Sequence, residues 1–258
     1  MKKNLLALAF LVGLLTCCKS EDAPIKPVKP TDPGSINKEY MSRAETTFAN
    51  IFKYYWSDKV RMMFGSYPNT LGTPQEPSSP DYDSHAYLWG LGSVVSAFNA
   101  IVQNTDNVDF RMTYESRLKE TLLKYYNTTK EPMCFGCFVN PHDQRLYDDA
   151  IWVGIDLADL YSKTKDSWYL DYAKSVWNFV LSGKDDELGG GVYWDENAKD
   201  SKNTCSNAPA VVLALKLYQI TNDAAYLENG KDIYKWTKSK LQDPSDYLYW
   251  DCLLYTSD

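Results

Sequence analysis

The sequence predicts an all-α chain whose helices pair into the hairpins of an α/α toroid. Three observations carry that reading. Segments that are apolar nearly all round alternate with amphipathic ones, as buried inner and half-wet outer helices do. "LYSKTKDSWYLDYAKSVWNF" (160–179) repeats as "LYQITNDAAYLENGKDIYKW" (217–236), an offset of about 57 residues that suits stacked helix hairpins. No stretch keeps up the period-2 alternation of a half-buried strand.

Along the chain, residues 1–18 read as a lipoprotein signal. Lys2 and Lys3 open it, and the apolar run Leu5 to Leu15 is too short to span a membrane. It ends in "LLTCCKSED", where Leu15 sets Cys18 as the lipid-bearing residue and Leu14 would set Cys17 instead. "KSED" resembles an acidic surface-export tag, so the expected location is the outer membrane facing outward, with a periplasm-facing anchor or plain secretion as alternatives. Residues 19–35 form a tether. Its proline-rich part, "APIKPVKPTDPGS" (23–35), favours an extended spacer.

The domain is expected over residues 36–251, opening with a helix near 36–56. The apolar segments are 86–102, 150–161 and 208–218, and the amphipathic ones 110–126, 168–182 and 226–241. Asp166 and Asp223 stand where two outer helices should start, as N-caps. Shifted by the repeat offset, the inner helices begin together at roughly 85–91, 146–150 and 203–208, with Pro209 expected in a first turn. Parallel inner helices would bring these starts to one rim, a usual place for a substrate cleft.

On that rim "RLYDDAIW" (145–152) carries Asp148 and Asp149 side by side. Acids favour helix N-termini, so a capping role explains one of them. A second adds repulsion and raises one pKa, which gives the neutral acid and ionised carboxylate that glycoside hydrolysis uses. Both readings stand on the residues alone. Around the pair, Trp152, Tyr193, Trp194 and Trp89 offer ring faces to a sugar or to the core. Asn203 and Asn207 offer amides to hydroxyls or to a helix end. "GGGVYW" (189–194) permits positive φ at its glycines.

Other chemistries find little support. The formal charge of −7, about −9 once Lys2 and Lys3 leave with the signal, disfavours nucleic acid and favours a neutral substrate. "CFGC" (134–137) with His142 begins like a zinc knuckle, but Tyr147 stands where a Cys ligand is needed; a local disulfide or packed thiols fit better. Cys205 is expected to pack as a small hydrophobe. Two histidines exclude a His-rich metal site, and neither a Walker loop nor G-x-G-x-x-G or G-x-S-x-G occurs. No metal and no cofactor is expected. A non-catalytic glycan-binding lipoprotein is the alternative from another class.

"YDDAIW", "GGGVYW" and "KNTCSNAPAVVLALKLYQIT" (202–221), in this order and repeat phase, resemble glycoside hydrolase family 76, as does "AYLWGLGSVVSAFNAI" (86–101). The resemblance covers about residues 40 to 251. It implies an (α/α)6 toroid and a retaining endo-α-1,6-mannanase acting on α-mannan. Asp148 would then be the nucleophile and Asp149 the general acid/base, with Trp152, Tyr193, Trp194, Asn203, Asn207 and Trp89 binding substrate in a monomer. A toroid of that kind has twelve helices and the sequence supplies about seven. The tail "CLLYTSD" (252–258) does not continue the repeat; it reads as a translated transposase mosaic end and is expected to be foreign.

Overall fold

The computed structural model describes residues 33–68, 85–139 and 144–254. Cys17, Cys18, the signal, most of the tether and His142 lie outside the described residues. The chain divides into two units, Met1–Glu39 and Tyr40–Asp258. The core and the site lie in the second.

The described residues contain seven α-helices: α1 Pro33–Tyr55, α2 Leu88–Asn104, α3 Val108–Tyr125, α4 Tyr147–Thr164, α5 Ser167–Ser182, α6 Thr204–Thr221 and α7 Ala224–Leu241. The all-α expectation holds, and the helix pairing is that of an α/α toroid. Three antiparallel pairs of very short strands join the loops: β1 Trp56–Ser57 with β2 Met62–Met63, β3 Tyr126–Asn127 with β4 Cys134–Phe135, and β5 Ser201–Asn203 with β6 Cys252–Leu254. Strands of two or three residues are too brief to leave a sequence alternation. α1 starts inside the expected tether, with Pro33 at the first helical position, where a missing N–H costs nothing.

The inner helices α2, α4 and α6 lie side by side, with α5 packed on α4 and α7 on α6. Contact is close enough that a Cβ on Gly154 would lie 2.9 Å from Val176 on α5 and 3.1 Å from Leu213 on α6. α3 packs on α1 through aromatic rings, Phe48 meeting Phe110 and Tyr114 with centroids 5.3 and 5.1 Å apart.

Inner and outer helices start differently. The outer helices have side-chain caps: Asn107 accepts from Phe110 N at 3.1 Å, Asp166 from Trp168 N at 3.0 Å and Asp223 from Ala225 N at 2.9 Å. At the inner helices the capping residues Tyr87, Leu146 and Asn203 make no such bond. There the first amide is taken by a backbone carbonyl from the loop after the following outer helix. Leu88 N–H donates to Cys137 O at 2.9 Å, Tyr147 N–H to Trp194 O at 3.0 Å, and Thr204 N–H to Asp251 O at 2.8 Å. Those three acceptors recur at the sequence repeat's own offset. The loops therefore deliver Cys137 and Trp194 to the amide-rich, electropositive ends of the inner helices.

One detail is corrected. α6 begins at Thr204, so Pro209 lies inside the helix and not in its first turn. Its ring removes the bond that would reach back to the Cys205 carbonyl. The start itself falls within the expected 203–208, at its early end, where "NTCSN" carries no apolar periodicity to mark it.

Candidate active site

Asp148 and Asp149 occupy the first turn of α4. Asp148 caps in part, its Oδ1 accepting the Asp149 N–H at 3.0 Å, while its Oδ2 accepts from Trp194 Nε1 at 3.3 Å. Cys205, at the start of α6, lies near Asp148, whose charge adds to burial in raising its thiol. Asp149 is turned the other way and is 91 % removed from solvent, with 9 % exposure. The buried Cys137 thiol lies nearby, and the charge of Asp149 adds to burial in raising it. Burial first, and then the charge of Asp148, push Asp149 up to about 6. The two carboxyls thus have unlike surroundings, which is the condition for giving one a proton at the pH where the other has none.

A groove of about 160 Å³ opens beside Asp149. Trp89, Gly92, Ser93 and Ser96 of α2 form one wall, Asp149 and Trp152 of α4 the other. Trp89 is 57 % and Trp152 43 % exposed, so both rings are available to a ligand. Deeper in, Ser96 donates to Asp156, which also accepts from Asn99 Nδ2 at 2.8 Å. Burial raises Asp156, against these hydrogen bonds. The line of polar groups continues to Asp159, held by Lys216 of α6 at 2.5 Å.

The remaining expected contacts divide. Trp194 stands at the acid pair and is 37 % exposed. Two expectations are corrected. Asn207 is fully buried; its Oδ1 accepts from Val192 N–H at 2.7 Å and its Nδ2 donates to Val192 O at 2.8 Å, so both amide ends are spent on the glycine-rich loop. Tyr193 is also buried, its ring 4.4 Å from the Lys202 ammonium. These residues shape the loop that presents Trp194 and do not face the groove. Asn203 lies half-buried at the rim, with Oδ1 buried and lacking a hydrogen-bond partner.

The loop itself is built as its glycines suggest. Gly189, Gly190 and Gly191 have φ of 80°, 120° and 80°. A Cβ on Gly191 would lie 2.5 Å from the Trp236 ring. The buried Lys202 gathers the loop, donating to Asp185 Oδ1 at 2.6 Å and to the Glu187 and Gly190 carbonyls, each at 2.8 Å.

Sequence reasoning missed Cys137, Cys205, Ser96 and Asp156. Cys205 was expected to pack as a hydrophobe, yet it is exposed and lies near Asp148. Cys134 and Cys137 are free thiols, and no His, Cys, Asp and Glu cluster able to hold a metal occurs among the described residues. Arg145, the basic group nearest the acid pair in sequence, is fully buried against Glu196 and the Phe179 ring. The signal for two of these was present. Cys137 precedes Trp194, and Asn99 precedes Asp156, by the repeat offset, which puts each two at equivalent positions of adjoining hairpins.

Residues 39–257 match the family described as Glycosyl hydrolase family 76. The chain belongs to this family. A crystal structure of a family 76 glycoside hydrolase from a bovine Bacteroides thetaiotaomicron strain is 31 % identical with a TM-score of 0.72, over 83 % of this chain and 45 % of that one. The family 76 α-1,6-mannanase of Salegentibacter sp. HEL1_6 is 25 % identical, TM-score 0.64, over 84 % of this chain and 56 % of that one. It is described there as an inactive variant, two consecutive aspartates replaced by alanine, in complex with α-1,6-mannotetrose. A Schizosaccharomyces pombe protein named for mannan endo-1,6-alpha-mannosidase activity is 30 % identical over 121 residues, 43 % of this chain and 27 % of that protein. The chain thus spans about half the length of the solved family 76 members and less of the curated relative.

Proposed function

We propose that the protein is a retaining glycoside hydrolase that cleaves α-1,6-mannosidic bonds of α-mannan. One observation carries this: Asp149 is raised to about 6 at the mouth of a groove flanked by tryptophans, beside Asp148 in a separate hydrogen-bonded setting. The inactive double-aspartate variant of the Salegentibacter mannanase supports giving both acids a chemical role.

Asp148 attacks the anomeric carbon while protonated Asp149 gives its proton to the glycosidic oxygen, and the C–O bond to the leaving sugar breaks. The product is a glycosyl ester on Asp148 and a free leaving sugar. Asp149, now a carboxylate, takes a proton from water as the water attacks the same carbon. The ester breaks with net retention, and Asp149 is again protonated. The Asp149 amide and the Trp194 indole, both donating to Asp148, stabilise it when it departs as an anion. Exposed Trp89 and Trp152 supply sugar-stacking faces.

The same reading places the chain as a monomer on the outer membrane, outward-facing, held by a lipid on Cys18 or Cys17. The signal pattern and the tether support that placement. Incubation with linear α-1,6-mannan tests the activity: α-1,6-linked oligosaccharides are expected. Binding of the polymer without any such product would favour the glycan-binding alternative.

A further inference from the structure

We propose that Ser96 is a specificity-determining residue at the foot of the groove: its hydroxyl oxygen, with the hydrogen committed to Asp156, accepts from a hydroxyl of the sugar lodged between Trp89 and Trp152. The inference rests on the hydrolase reading and adds to it a contact that selects the sugar.

Two helix faces build the position. Trp89, Ser93 and Ser96 follow one another on α2 at helical spacing, as Asp149, Trp152 and Asp156 do on α4, so each set lies on one face of its helix. The faces confront each other across the groove and meet where the Ser96 hydroxyl donates to Asp156 Oδ2. That bond joins α2 to α4 and closes the groove at its foot. Ser96 is half-buried and lines the groove, while Asp156 is 6 % exposed and stands behind it. The cavity of about 160 Å³ is smaller than the roughly 300–1,000 Å³ of sites that enclose a drug-sized ligand, so it suits a single sugar ring.

The polar groups behind the wall set which way the hydroxyl points. A serine hydroxyl has one hydrogen and two lone pairs. Asp156 takes the hydrogen, and it is itself held in place. Its Oδ1 accepts from Asn99 Nδ2 at 2.8 Å, and Asn99 Oδ1 accepts from Gln103 Nε2 at 3.1 Å, so the Asn99 amide cannot turn round without losing both bonds. Gln103 Nε2 also donates to Asp159 O at 2.9 Å. The Ser96 and Asn99 bonds and the Lys216 ammonium favour the charged form of Asp156 against its burial. A charged carboxylate only accepts. Ser96 therefore offers the groove lone pairs and no hydrogen. Ser93, the other serine of the wall, bonds within its own helix, donating to Trp89 O at 3.4 Å. A sugar that presents a hydroxyl to Ser96 gains a bond. One that lacks it leaves the oriented oxygen unmatched, which is how a polar site rejects a deoxy analogue.

The test is calorimetric binding of α-1,6-mannobiose and its monodeoxy forms to the full chain carrying Asp148→Asn, so that the ligand stays whole. One monodeoxy form should bind roughly fivefold more weakly than the parent sugar, through the loss of one hydrogen bond. Adding Ser96→Ala should make the two sugars bind equally, at the weaker affinity. Ser96→Thr keeps a hydroxyl and should keep the difference. Ser96→Cys, similar in size but a weak donor and acceptor, should erase it as alanine does, and it serves if thermal unfolding shows that the alanine variant does not fold. A difference that survives in folded Ser96→Ala or Ser96→Cys overturns the proposal, as does a chain with Ser96 intact that binds every monodeoxy form as it binds the parent. Release of α-1,6-linked oligosaccharides by the chain with Asp148 intact is measured separately. Product without Ser96-dependent binding overturns the serine contact alone. Ser96-dependent binding without product overturns the hydrolase reading alone, and no binding of the parent sugar overturns both.

Discussion

The indole Nε1 of Trp194 donates to Asp148 Oδ2 at 3.3 Å, and Trp194 O receives the first amide of the helix that bears Asp148. One loop residue thus holds both the helix start and the acid on it. The loop owes its shape to three positive-φ glycines, the buried Lys202 and the buried Asn207. This links a local backbone requirement to the chemistry.

Trp194→Phe keeps a ring at the rim and removes the hydrogen bond. A long bond of this kind contributes about 1 kcal/mol, so kcat/KM on an α-mannoside should fall roughly fivefold. Trp194→Ala should lose more, through KM as well, because the ring goes. Steady-state kinetics on the two variants separates these effects.

The raised Asp149 has a stability consequence. Between 3.8 and about 6 the folded chain holds a proton that the unfolded chain has released. Stability therefore falls as pH rises through that window and stays lower above it. With Asp149 buried, the ionised form costs the folded state about 2–3 kcal/mol. Asp149→Asn should unfold at higher urea than wild type at neutral pH, and the gain should vanish below pH 3.8. A gain independent of pH would show that the charge is not its source.

Asn207→Ala should act on folding. It leaves the Val192 N–H and C=O without their buried partner, at a cost of about 1–3 kcal/mol. Gly191→Ala should cost about 2–4 kcal/mol, from the φ of 80° and the overlap with Trp236. Urea unfolding measures both. If Asn207→Ala left stability unchanged and raised KM alone, the amide would be a sugar contact after all.

Much of this architecture was legible in the sequence because it repeats. The alternation of buried and amphipathic segments, the Asp166 and Asp223 caps and the shared rim all follow from one offset. The offset also relates Asn99 to Asp156 and Cys137 to Trp194, but these polar residues stand outside the apolar periodicity that marks the helices. Asn207 and Tyr193 were misplaced for a different reason. A loop folded back on its own helix start uses amides and rings internally, and a one-dimensional pattern does not distinguish that from a face turned to a ligand. Cys205 failed likewise: its type suggests burial, but α6 begins early enough to leave it on the rim.

The central claim is that the two adjacent acids have separate chemical duties. Single-turnover and steady-state kinetics of Asp148→Asn and Asp149→Asn on an α-mannoside with a good leaving group test it most directly. Asp148→Asn should form no glycosyl-enzyme and should be inactive. Asp149→Asn should still form the ester, because the leaving group needs little protonation, but should stall until azide replaces the missing base-activated water. Near-native turnover in both variants would contradict the account.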